Sequence, residues 1–253
     1  MTLGVRDSGL GTRLTCVLAA CAAATVLLGA MPASVRAAEA QAVTFAARDG
    51  VTVSGTLHLP DKLPAPAVVL LPMMARSQHD YDALAARLVE AGIAALSIDF
   101  RRNGGPRTSS GEGGEDFSDL VLDAEAARGY LTARSEIAPG RIGVVGASVG
   151  ANVAVLAAAN DAAIKTLVLL SPSLEYRNLR IETALKTYGS RPALLVASSN
   201  DPYALRSARE SVSLGDGVRE LRVLSNVGHG TIMLSRDPDL STAVVDWLLR
   251  TLL

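Results

Sequence analysis

From residue 67 onward, short apolar runs rich in Val, Ile, Leu and Ala alternate with stretches of helical periodicity, and this alternation restricts the fold most. Strands are expected at 67–71, 93–98, 141–145, 166–170, 193–197 and 219–224. Helices are expected at 81–91, 117–134, 149–160, around 180–186 and at 241–252. Repeated strand–helix–strand units imply an α/β fold, with right-handed crossovers and a mostly parallel central sheet carrying helices on both faces. Hydrophobic residues make up 49% of the chain and aromatics only 4%, which suits a core of small aliphatic side chains. Ahead of this pattern, 43–47 and 51–59 flank Asp49-Gly50, a hairpin signal, so two antiparallel strands are expected there. The chain has 253 residues, and a single domain over 43–253 fits better than two small ones. Two segments break the rhythm. Residues 101–115 form a polar loop with five glycines (Gly104, Gly105, Gly111, Gly113, Gly114), and 171–192 leaves room for a minimal cap only.

The first 37 residues stand apart. Arg6 and Arg13 make a basic head, 14–30 is apolar, and Val35 and Ala37 supply small side chains at a cut site. That is the layout of a secretory signal, with a second cut site after Ala38-Glu39-Ala40. An uncleaved anchor is one alternative, the 17-residue apolar stretch being marginally long enough. Leu18-Ala19-Ala20-Cys21 resembles a lipobox and offers another, in which Cys21 carries lipid. The expected location is therefore extracytoplasmic, periplasmic or secreted, with a membrane-anchored lipoprotein as the alternative. Membrane contact would come only through an uncleaved leader or lipidated Cys21. Both cysteines, Cys16 and Cys21, lie in the leader, so a cleaved chain has neither disulfide nor catalytic thiol. Loss of Arg6, Asp7, Arg13 and Arg36 takes the formal charge from −1 to −3. With no basic run, nucleic acid is not an expected partner. The three histidines are scattered, and neither a metal nor another cofactor is expected.

Between the strand at 141–145 and the helix at 149–160 stands Gly146-Ala147-Ser148-Val149-Gly150. Glycines at both ends permit a very tight turn that lifts the serine hydroxyl above the end of the sheet. The motif is weak alone, since small residues are common at such junctions. A serine needs a base, and the base needs a partner. His58 falls in the second antiparallel strand and is expected to be structural or solvent-facing. His79 is expected at an exposed helix start. His229 follows the last strand between Gly228 and Gly230, at the carboxyl edge of the parallel sheet. Asp201 follows the strand at 193–197 in Ser199-Asn200-Asp201-Pro202, where a helix cap or Asx turn would also explain it. Ser148, Asp201 and His229, in that order, all fall where open α/β sheets bind ligands.

In strand order, serine turn and residue order, 43–253 resembles the α/β-hydrolase fold. The resemblance implies Ser148 as nucleophile, His229 as general base and Asp201 as the residue that orients it. It also makes the loop after 67–71 the oxyanion loop. Many relatives begin that loop His-Gly; here it is Pro72-Met73-Met74-Ala75-Arg76. The donors are backbone N–H groups, so Met74 and Val149 are implied, with Met73 as the alternative to Met74. The stretch from Asp99 to Gly104 resembles a structural Asp-x-Arg-Gly segment of the family. The compact domain is similar to dienelactone-hydrolase-like proteins, but those carry cysteine where Ser148 stands, so lactone specificity is not implied. What is implied is a serine esterase cleaving an ester-type bond, whether carboxylic ester, thioester or lactone, of a small-molecule acyl substrate; Met73, Met74, Leu174 and Tyr176 nearby fit either an acyl or alkyl binding surface or ordinary packing. A peptidase or acyltransferase of the same fold stays open, as does a non-catalytic binding protein that keeps the turn for packing. A dinucleotide-binding module does not fit, because 143–150 lacks Gly-x-Gly-x-x-Gly spacing.

Overall fold

Every residue of Ala-Pro-Ala-Val-Val-Leu-Leu is buried, so this strand has apolar neighbours on both faces. It is the third strand of a computed structural model that describes residues 40–101 and 117–253. The expected leader, residues 1–37, and the glycine-rich stretch from 102 on lie outside the described residues. In chain order the strands are β1 (Gln41–Ala46), β2 (Thr52–His58), β3 (Ala65–Leu71), β4 (Ala94–Asp99), β5 (Ile137–Ala147), β6 (Ile164–Leu170), β7 (Glu175–Tyr176), β8 (Leu179–Arg180), β9 (Ala193–Ser198) and β10 (Arg219–Leu224). The helices are α1 (Asp82–Glu90), α2 (Leu120–Thr132), α3 (Val149–Asn160), α4 (Glu182–Tyr188), α5 (Pro202–Val212), α6 (Ile232–Arg236) and α7 (Pro238–Leu252).

Eight strands form one sheet in the order β1-β2-β4-β3-β5-β6-β9-β10. β1 and β2 form the expected antiparallel hairpin, and β2 also runs antiparallel to β4. The other pairings, from β4 to β10, are parallel. Pleating divides the core in two. Val69 and Leu71 of β3 pack with α2, α3 and α4, whereas Val68 and Leu70 pack with α1 and α7. Trp247 of α7 is fully buried, and its indole N–H donates to Thr166 Oγ1 of β6 at 2.8 Å.

Most differences from expectation sit at element ends. The first helix begins at Asp82, because a 3₁₀ turn, Gln78–Tyr81, precedes it. α2 begins at Leu120, because the N–H groups of Leu120, Val121 and Leu122 donate to the carbonyls of Phe117, Ser118 and Asp119, three residues back, in a 3₁₀-like entry turn. α7 starts at Pro238, a residue suited to the first helical position, and the Asp237 side chain caps it through Asp239 N. The β7/β8 hairpin and α6 were not expected, and α5 was expected only as a helix start after Asp201, with no extent. Among the described residues no helix is long and apolar enough to cross a membrane.

Topology places the site. The chain leaves β3 for β4 on one side and later returns to β5 on the other, so the loops after β3 and β5 part over a crevice at the carboxyl ends of two bonded strands.

Candidate active site

Ser148 stands at φ 53° and ψ −118°, a backbone state that residues with side chains rarely adopt. Its neighbours impose it. A Cβ on Gly146 would lie 2.2 Å from the Gly150 carbonyl oxygen, and one on Gly150 would lie 2.5 Å from the carbonyl oxygens of Leu71 and Pro72. The strand, the turn and α3 thus approach each other more closely than any side chain permits. The Ser148 N–H donates to Leu170 O at 2.8 Å, which ties the turn to the end of β6. Val149 opens α3, where N–H groups have no intrahelical acceptor and the helix end carries partial positive charge.

His229 comes to this turn from the far side of β9. Its Nε2 lies 2.7 Å from Ser148 Oγ, and its Nδ1 lies 2.5 Å from Asp201 Oδ2. With Nδ1–H donating to the carboxylate, Nε2 is left to accept the serine proton. The imidazole is 40% exposed and the Asp201 carboxylate 15%, so the line of groups is open at one end and sheltered at the other. Asp201 also fulfils its alternative expectation. Its Oδ1 accepts from Ala204 N at 3.3 Å and caps α5 ahead of Pro202.

The loop after β3 borders the turn, since Leu71 pairs with Gly146. Among the described residues, neither the Met73 nor the Met74 N–H donates a backbone hydrogen bond. Their side chains diverge. Met73 packs with the α1/α7 cluster and its sulfur sits beside Gly230, whereas Met74 packs with the α2/α3 cluster. Leu174 is half-buried, and Tyr176 is exposed and tilted against Phe117 at 6.1 Å.

The other two histidines lie apart from this arrangement. His58 pairs with Ala95 at the amino-terminal end of β4, the opposite end of the sheet. Burial depresses its pKa, and its Nε2 has no partner among the described residues. His79 is exposed and lies 3.2 Å from Asp82. Asp99 accepts from Gln78 N and Nε2 at 2.9 and 3.0 Å, a structural contact. Arg101 is 8% exposed and bridges buried Asp123 of α2 to Asp49 in the β1/β2 turn. Burial opposes the Arg101 charge, but the two carboxylates outweigh it and hold the guanidinium protonated. Among the described residues, no group of three or more His, Cys, Asp or Glu side chains could hold a metal ion. Sequence reasoning missed the side chains of Ser171, Ser198, Ser199 and Asn200, which surround the His229 loop; the polar run Ser198-Ser199-Asn200 beside Asp201 was the available signal.

No curated protein sequence matches the chain. Solved structures do. A dienelactone hydrolase from Anabaena variabilis is 20% identical at a TM-score of 0.69, covering 86% of this chain and 100% of its own. An acetyl xylan esterase from Paenibacillus sp. R4 is 18% identical at 0.72, covering 88% and 87%. An esterase from Pyrococcus furiosus is 19% identical at 0.67, covering 85% and 92%. At such identities these likenesses speak for the fold. The family model described as serine aminopeptidase, S33, matches residues 63–233, which include Ser148, Asp201 and His229. On that match the chain belongs to the S33 serine aminopeptidase family of α/β hydrolases, and is a serine-type hydrolase.

Proposed function

We propose that the protein hydrolyses an ester-type bond of a small acyl substrate through an acyl-enzyme on Ser148. The observation that carries this reading is the unbroken line from Ser148 Oγ to His229 Nε2 at 2.7 Å and from Nδ1 to Asp201 at 2.5 Å. Ser148 Oγ attacks the carbonyl carbon as its proton passes to Nε2, and the carbonyl oxygen becomes an oxyanion received by the N–H groups of Met74 and Val149. Collapse expels the alcohol, which takes the proton from Nε2. Water then attacks the acyl-enzyme by the same route, and Ser148 Oγ recovers its proton. Asp201 holds the productive tautomer and stabilises the imidazolium.

The family description favours a second reading, peptide hydrolysis from an amino terminus, by the same steps with an amine as leaving group. Turnover of p-nitrophenyl acetate and butyrate against alanine p-nitroanilide separates them. The ester reading expects turnover of both esters and no detectable cleavage of the anilide, because an activated ester is the easier acyl donor for any serine hydrolase and only the anilide discriminates. Cleavage of the anilide would replace it with the peptidase reading. The leader supports a further proposal, export across the cytoplasmic membrane.

A further inference from the structure

The loop that carries His229 cannot satisfy its own amides. Asn226, Gly228 and Gly230 have φ of 56°, 93° and 59°, and this alternation of backbone states turns successive N–H groups outward. Side chains from other loops accept nearly all of them. Asn226 N donates to Ser199 Oγ at 3.0 Å, Val227 N to Ser198 Oγ at 2.9 Å and Gly228 N to Asn200 Oδ1 at 3.0 Å. His229 itself bonds Asp201, Gly230 N donates to Ser171 Oγ at 3.0 Å, and Thr231 Oγ1 donates to Asp80. Asp80 also accepts from Arg76 Nε at 2.8 Å, so the far end of the loop is tied to the segment that carries Met73 and Met74.

Four consecutive residues, 198–201, therefore hold four consecutive residues, 226–229. Ser198 is central. It is fully buried at the end of β9, and its hydroxyl accepts from Val227 N while donating to Asn200 Oδ1 at 2.6 Å. The loop 198–201 is also braced within itself, since Asp201 N donates to Ser198 O at 3.0 Å. The carboxylate that orients the imidazole and the groups that locate its backbone thus share one rigid turn.

We propose that Ser198 and Asn200 are positioning residues, acting through the backbone of 226–228 to set the distance from His229 Nε2 to Ser148 Oγ. The proposal rests on the Ser148, His229 and Asp201 reading above. The Asp201 bond alone fixes one ring nitrogen and leaves the other free to swing with a loosened loop. Proton transfer depends on that second distance, and a misplacement of about 1 Å costs a reaction on the order of 100-fold.

Steady-state kinetics on a p-nitrophenyl ester, with pH profiles and thermal melts, test this. Asn200→Ala and Ser198→Ala should each lower kcat about 10-fold or more, with KM nearly constant. Asn200 is exposed, so its variant should melt like the parent. Asn200→Asp keeps the acceptor and should restore most of kcat. Its added carboxylate should move the rising limb of the pH profile upward. Trp247→Phe, which removes the bond to Thr166, is the comparison for a structural loss: it should lower the melting temperature and leave kcat intact. Wild-type kcat in both alanine variants would overturn the proposal, as would losses that track melting temperature. If Ser148→Ala kept full turnover, the underlying reading would fall and this proposal with it. If Ser148→Ala were inactive while both alanine variants matched wild type, positioning alone would fall.

Discussion

Asp201 divides its two oxygens between two tasks, one accepting from His229 and the other from the first turn of α5. This division can be tested at a single residue. Asp201→Asn keeps an oxygen for the cap but allows the wrong imidazole tautomer, so turnover should fall by about 10⁴-fold with stability retained. Asp201→Ala loses both, and should in addition cost about 0.5–2 kcal/mol in denaturant unfolding. Equal stability losses in the two variants would contradict the division. His229→Ala should abolish the rise of kcat/KM with pH, whereas His79→Ala should leave it unchanged; a profile governed by His79 would require a different base. Both contacts of Asp201 were expected from the chain: Pro202 signals a helix start, and the resemblance to α/β hydrolases implied the bond to His229. The bonds from Ser198 and Asn200 were not. Side chains that capture backbone across two loops leave no period in the sequence and depend on where those loops meet.

At the scale of elements, the turn between β5 and α3 depends on space rather than on propensity. Gly146→Ala and Gly150→Ala place a methyl against backbone carbonyls that cannot withdraw, so each should abolish activity or soluble yield. Either variant recovered with wild-type kcat would show that the turn tolerates what its geometry forbids. Arg101 and Asp123 make a second test. Burial pushes the Asp123 carboxyl above its usual pKa range, against the pull of Arg101, so the pair survives on its hydrogen bonds. Asp123→Ala leaves a cation 8% exposed with the more exposed Asp49 as its remaining partner, and should destabilise the domain by about 1–3 kcal/mol in urea unfolding. A loss below about 1 kcal/mol would place this pair with ordinary surface contacts. Every strand of the main sheet was legible; two-sided burial demands the apolar runs of β3, β4, β6 and β9, and one-sided burial the alternation of β2. The β7/β8 hairpin has two residues per strand and α6 only five in all, too short for any period to register. The first residues of α1, α2 and α7 shifted because local hydrogen bonds and caps, not periodicity, decide where a helix begins.

For the whole molecule, the export proposed from residues 1–37 can be tested directly. Intact mass of protein from its native host should show a terminus near Ala38 or Gln41, or lipid on Cys21 under the lipoprotein alternative; a cytosolic chain keeping Met1 or Thr2 would refute export. Dialysis against EDTA should leave turnover unchanged, and restoration of lost activity by zinc would reveal a metal site. The fold and the serine, aspartate and histidine positions were open to sequence reasoning because topology places them at strand ends. Substrate identity was not, because pocket walls come from loops whose side chains no pattern orients. The central claim is that Ser148 is an activated nucleophile, and fluorophosphonate labelling followed by peptide mass spectrometry tests it most directly. The account predicts one adduct, on Ser148, lost in Ser148→Ala and strongly slowed in His229→Ala. An unlabelled protein, or an adduct that persists in Ser148→Ala, would contradict it.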